Sequence, residues 1–429
     1  MPRIMIVIAV LVVAMVGGEF ILQAAESTSA PATEPTTAPA LVPSSRATAT
    51  SASSTPKLSL SPVGTKAIDA RHLAMAQEDI NGGIAYFLRT QNSDGGWGKP
   101  VSMPAFTALV LKALLQHPDF NTSSPAVARG FESLLKNVQP NGGIYDPKMG
   151  QANYTTSLAV MALATAKDPR NKPVLDKAVA YLKGLQIVEG STTATGEKVD
   201  RNSPFFGGAS YGEQGRPDLS NLQFTVDALH EAGVPKDDPF FTNAVVFLNR
   251  VQNRSESNDQ PWAKVVNDGG FVYSTARSGA DIAGQSKADT MEVDGQLGLR
   301  SYGSMTYAGF KSMLYCGLAK DDPRVRSAYE WIRRYWRLDS NPNMPDAQSR
   351  QGLFYYYHVF AKALRAWGQD VIVDSRGIKH NWREELIETL HSQRRPDGAW
   401  VNSEPRWYEN MPDLVTAYSV LALEETLGK

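Results

Sequence analysis

Cysteine is nearly absent: the 429-residue chain holds one, Cys316, inside the apolar string SMLYCGL. No internal disulfide is available, and no thiolate cluster exists to hold zinc. With no basic group beside it, Cys316 reads as a buried, inert thiol rather than a nucleophile. Histidine is scarce as well, at 72, 117, 230, 358, 380 and 391, without HxxH or HExxH spacing. The sequence therefore predicts no metal site and no cofactor. Surplus charge of either sign is missing too, with 43 basic against 44 acidic residues. That balance leaves no basic stripe for nucleic acid. Alternating runs long enough to make strands do not occur, which points to an all-α chain.

What is present starts at the N-terminus. Arg3 precedes IMIVIAVLVVAMVGG (4–18), an apolar run of signal-peptide length that ends in small residues. Residues 1–25 are expected to be a signal peptide or an N-terminal anchor, and no cysteine follows to make a lipoprotein signal. The protein is accordingly expected to be exported, whether periplasmic, extracellular or held near a membrane by that segment. Residues 26–65 are rich in Ser, Thr, Ala and Pro. Such a stretch cannot bury enough apolar surface to offset its ordering entropy, so it is expected to be a disordered linker. A folded domain is expected over 66–429.

Within that domain two kinds of helix alternate. One kind carries a single apolar stripe, as in Phe131/Leu134/Leu135/Val138, Ala178/Tyr181/Leu182/Leu185, Ala244/Phe247/Leu248/Val251 and Ala328/Trp331/Ile332/Tyr335. Each stripe is followed at once by Gln139, Gln186, Gln252 or Trp336, and helix ends at Gln91 and Gln393 complete a series of six. The other kind is apolar nearly all round: 105–115, 156–166, 222–233, 306–318, 355–368 and 414–428. One buried face suits an outer helix and two suit an inner one, so six hairpins in two concentric rings are expected. Between the two kinds of helix lie turns such as QNSDGGWG (91–98), where glycines permit a tight reversal. The Gln amide is expected to satisfy backbone groups at helix ends, and the aromatic to tie neighbouring hairpins together. KDDP at 236–239 and 320–323 reads as a turn and helix N-cap.

FLRTQNSDGGW (87–97), LKNVQPNGGIY (135–145) and QRRPDGAW (393–400) carry a further meaning. An aromatic or Leu four before Gln, Gly four after and Trp six after resembles the QW repeat of squalene–hopene and oxidosqualene cyclases. The second string has Tyr for Trp and the third one inserted residue. From about residue 66 the chain resembles the prenyltransferase/squalene-cyclase superfamily, which implies an α/α toroid with a central ligand cavity. The family's chemistry does not follow. The D-x-D-D acid is missing, and Cys316 has no Asp two residues before it to make the zinc site of prenyltransferases. SYGEQG (210–215) is similar to the thioester motif of complement-like toroids, but Tyr211 stands where the cysteine belongs.

The resemblance directs attention to the loops entering the inner helices. GLRSYGSMTYAG (298–309) offers Arg300, Tyr302 and Tyr307 as ligand-binding residues. QGLFYYYHVF (351–360) offers Tyr356 for binding, with Tyr357 and His358 as catalytic candidates. DGAWVNSEPRWYENMPDLVT (397–416) offers Asn402, Arg406, Trp407 and Glu409 for binding and Asp413 for catalysis, although Asp413 also suits a helix first turn. Tyrosine and tryptophan faces accommodate isoprenoid chains and sugar rings alike. A hydrophobic terpenoid or lipid is the first expectation for the ligand. A glycan bound or cleaved with the help of Arg300, Arg350 and Arg406 is the alternative, and a non-enzymatic scaffold the third.

Overall fold

The computed structural model describes residues 67–193, 196–212, 215–276 and 281–428, all within one compact unit. The expected signal peptide (1–25) and linker (26–65), and Gln214 of the thioester-like string, lie outside the described residues.

Helices come in pairs along the chain: α1 (Ala70–Thr90) with α2 (Pro104–Gln116), α3 (Pro125–Leu135) with α4 (Ala152–Ala166), and α5 (Lys172–Gly184) with α6 (Leu219–Glu231). Then α7 (Pro239–Arg250) is followed by the short α8 (Ala263–Val266) and its partner α9 (Gly303–Tyr315). The last pairs are α10 (Pro323–Arg334) with α11 (Leu353–Trp367) and α12 (Trp382–His391) with α13 (Pro412–Thr426). The second member of each pair packs against the second member of the next, and α13 returns to α2. Six helices thus close a ring, with α1, α3, α5, α7, α10 and α12 against its outside. The burial pattern explains the assignment. Along α13 every residue from Asp413 to Thr426 is buried, whereas α10 buries only Val325, Ala328, Trp331 and Ile332. A helix apolar all round has nowhere to go but inside.

The all-α expectation needs one correction. Two antiparallel hairpins interrupt the helices: β1 (Thr290–Val293) with β2 (Gln296–Leu299), and β3 (Val371–Val373) with β4 (Lys379–Asn381). Strands this short show too few alternations to stand out in sequence. Among the described residues no helix is long and apolar enough to cross a membrane.

The repeated turns work as stitches. Gln91 Nε2 donates to the Gly95 carbonyl and to that of Ala126, both at 2.8 Å. Gln186 does the same to Gly207 and Phe240, and Gln252 to Gly269 and Arg324. In all three cases the second acceptor follows a proline that starts the next outer helix. Trp97 is fully buried and its Nε1–H reaches the Phe87 carbonyl at 2.9 Å; Trp400 repeats this on Leu390 at 2.8 Å. The backbone N–H of each of these tryptophans is accepted by a threonine of the following inner helix, Thr107 or Thr416. The other members of the series differ. Gln139 bonds within its own turn, Gln393 reaches Tyr357 and Thr389, and Trp336 donates to Glu385. Both KDDP strings end as expected, with Asp238 and Asp322 capping α7 and α10.

Candidate functional site

Closing six helices into a ring turns one stripe of each toward a common axis, and side chains from non-adjacent helices meet there. Near the N-terminal ends these are aromatic. Tyr154 of α4 meets Phe224 of α6 edge-on (5.1 Å between centroids), and Phe224 meets Tyr355 of α11 at 5.8 Å. Tyr355 contacts Tyr418 of α13 at 6.0 Å, and the Tyr418 and Tyr154 hydroxyls close the circuit at 3.0 Å. Ser220 hydrogen-bonds to the Tyr355 hydroxyl at 3.3 Å. Tyr154, Tyr355 and Ser220 are only half-buried, so solvent reaches this layer from that side.

His358, one turn deeper on α11, stacks on Tyr418 with centroids 5.3 Å apart. It is 2% exposed, and its Nδ1 has no hydrogen-bond partner among the described residues. Burial drives its pKa well below the usual imidazole value, and Lys362, Lys311 and Lys112 push it the same way. The ring is therefore neutral.

Charge fills the axis below. Asp227 of α6 accepts from Lys311 of α9 at 2.6 Å and from Lys362 of α11 at 2.7 Å. Glu231 takes Lys112 of α2 at 2.6 Å and Lys362 at 3.0 Å. Burial alone would raise the Glu231 carboxyl, but Lys112 and Lys362 bring it down to about 2. Lys362 also lies 3.9 Å from the sulfur of Met161 on α4, so side chains meet across the ring and close its centre. Desolvating such charges is costly unless each is paired. The three lysines occupy the last two turns of their helices, where the helix dipole favours cations.

At the rim, Asp218 caps α6 through Asn221, whose backbone and side-chain nitrogens reach it at 2.8 and 2.7 Å. Burial raises its carboxyl to about 6, while Asn221 and Tyr273 hydrogen bonds oppose the shift. Tyr302, 2% exposed at the start of α9, has Tyr355, Asp218 and Arg406 in its electrostatic surroundings.

Of the residues singled out in sequence, His358 reaches the axis and Tyr302 its rim. The others have work elsewhere. Tyr356 and Tyr357 point outward, donating to the carbonyls of Arg337 and Leu338 beyond α10. Tyr307 packs between α9 and α11 against Tyr356 and Phe360. Asp413 accepts from the Gly98 N–H at 3.0 Å and from Thr90, joining the first hairpin to the last. Glu409 caps α11, accepting from the backbone N–H groups of Phe354 and Tyr355 and from Asn402. Arg406 bonds Gln351 and covers Trp407, which with Tyr408 is exposed on the rim. Arg300 follows β2, its backbone N–H bonded to the Asp289 carbonyl. Sequence reasoning missed Tyr154, Ser220, Phe224, Tyr355 and Tyr418, together with all five charged residues.

This ring matches solved structures of a type II terpene cyclase from Scytonema. Two of its complexes with geranylgeranyl dihydroxybenzoate each superpose with a TM-score of 0.51 at 14% identity. The alignments cover 84% and 83% of this chain and 99% of the cyclase in both cases. A glycosidase in complex with glucose aligns with a TM-score of 0.45 at 14% identity, covering 84% of this chain and 99% of its own. No family model matches the sequence, and no curated protein matches it. The class defined is thus one of fold: a mostly helical chain built like a type II terpene cyclase.

Proposed function

We propose that residues 66–429 form an α/α toroid of six hairpins that binds a terpenoid or similar prenyl-chain lipid in its axial pit. On this reading residues 1–25 direct the chain out of the cytoplasm. The observation that carries the binding proposal is the aromatic quartet Tyr154, Phe224, Tyr355 and Tyr418, contributed by four helices to one half-open layer. Flat aromatic faces take up isoprene units, and each buried methylene adds about 0.8 kcal/mol. The likeness to a cyclase that holds a geranylgeranyl compound agrees with this ligand class. Binding is favoured over acid-driven cyclisation because protonating an alkene needs a free O–H aimed at it. The sequence has no D-x-D-D string to supply one, and Asp218, the rim acid, is held in place as the cap of α6.

Geranylgeranyl dihydroxybenzoate serves as the probe. It is expected to raise the melting temperature by about 3–4 °C at a hundredfold excess over its Kd. The Tyr154→Ala/Tyr355→Ala variant should lose most of that rise. Stabilisation by gluco-oligosaccharides, with none by the prenyl probe, would replace the lipid with a glycan.

A further inference from the structure

Buried polar groups without partners are rare and call for an explanation. His358, one turn below the aromatic layer, is such a group: almost wholly buried, stacked on Tyr418, its Nδ1 unpartnered. Leaving such a nitrogen unsatisfied costs about 1–3 kcal/mol unless something from outside meets it. The residues around it narrow what that can be. Lys112 of α2, Lys311 of α9 and Lys362 on its own helix add to its electrostatic surroundings, as does Glu231 of α6. Asp227 of α6 holds Lys311 and Lys362. Tyr418 of α13 covers its face. Three lysines repel an incoming ammonium. An incoming carboxylate would have to displace Asp227 or Glu231 from contacts of 2.6 to 3.0 Å. A neutral imidazole offers one N–H donor and one lone-pair acceptor, and a hydroxyl both gives and takes a hydrogen bond.

Building on the terpenoid reading, we infer that His358 reads a hydroxyl carried by the buried end of the ligand, so that the pit selects prenyl alcohols over the corresponding hydrocarbons. The chain lies in the aromatic layer with its polar end inward. The lysine–carboxylate cluster is the floor that stops it. His358 here is a specificity residue with no proton transfer assigned to it.

Geranylgeraniol and the matching tetraene without the hydroxyl, both delivered from cyclodextrin, test this by isothermal titration. Wild-type protein is expected to bind the alcohol about tenfold tighter, the size of one well-placed hydrogen bond. His358→Phe keeps the stacked ring and removes the nitrogens. It should bind both probes with the affinity that the wild type shows for the hydrocarbon. An alcohol preference that survives in His358→Phe, or its absence from the wild type, would overturn the inference while leaving the terpenoid site in place. Binding of neither probe by the wild type would overturn both. A second readout needs no variant. The imidazole nitrogen resonances of His358 should move on adding the alcohol and stay put with the hydrocarbon, and the reverse or equal movement would count against the assignment.

Discussion

Glu409 shows how one side chain in a loop can set both local geometry and pH response. Its carboxylate closes the N-terminus of α11 by accepting from Phe354 and Tyr355, and it holds Asn402 at 2.7 Å. Burial pushes its pKa from 4.5 to about 7 against the pull of those hydrogen bonds. A carboxyl whose folded pKa is raised binds its proton more tightly in the folded state. Its contribution is complete below about pH 4.5 and is lost as pH rises through about 7. The free energy involved is on the order of 3 kcal/mol. Denaturant unfolding of the wild type should therefore show a fall in stability between pH 5 and 7.5, and Glu409→Gln should make it shallower. Asp218, raised to about 6, adds a smaller fall of the same sign that the variant keeps. Parallel pH curves for the two proteins would show that the proton sits elsewhere. In sequence Glu409 looked like a ligand contact because an acidic residue near Arg406 and Trp407 carries no mark of burial. Only the approach of α11 makes it a cap.

At the scale of the element, the turn after the outer helix is the unit that repeats. Gly207 has φ +85°, and a side chain there would collide with the backbone carbonyl of Asn243 on α7. Gly95, Gly142, Gly269 and Gly398 press in the same way on Arg129, Lys177, Ser327 and Gly82. Conformation and closeness of approach therefore both demand glycine. Gly150 separates the two: its φ is +63° but nothing lies within 4 Å of its missing Cβ. Gly150→Ala should cost only about 1–2 kcal/mol, the left-handed penalty alone. Gly207→Ala should cost at least about 3 kcal/mol, since α7 has to move as well. Equal melting temperatures for the two variants would refute the close-packing account of the repeat. These turns were legible in the sequence because Gln, Gly and an aromatic at fixed spacing mark the backbone itself. The stitching to the next outer helix was not, since its acceptors are backbone carbonyls that leave no sequence signature. The fifth unit, where Trp336 replaces Gln and stacks on His380, uses a different contact altogether.

Across the whole molecule, the ring closes on a layered axis with aromatics at one end, His358 beneath them and paired charges at the other end. The inner helices were legible from their all-round apolar character, but the way each one faces was not. Tyr355, Tyr356 and Tyr357 are adjacent, and helical rotation sends the first to the axis and the other two to the outer ring. The charged floor did leave a trace: Lys112 and Lys311 each stand as the one charged residue of a largely apolar helix. A single such residue reads as a lone exception, and the pairing emerges only when helices far apart in sequence are brought into register. Where a ligand lies is the central question, and photoaffinity labelling answers it most directly. A diazirine analogue of geranylgeraniol, bound to the wild-type protein and irradiated, should mark the peptides spanning 152–166, 219–231, 353–367 and 412–426, with excess geranylgeraniol protecting them. Labelling confined to the outer helices, or unaffected by the competitor, would contradict an axial binding site.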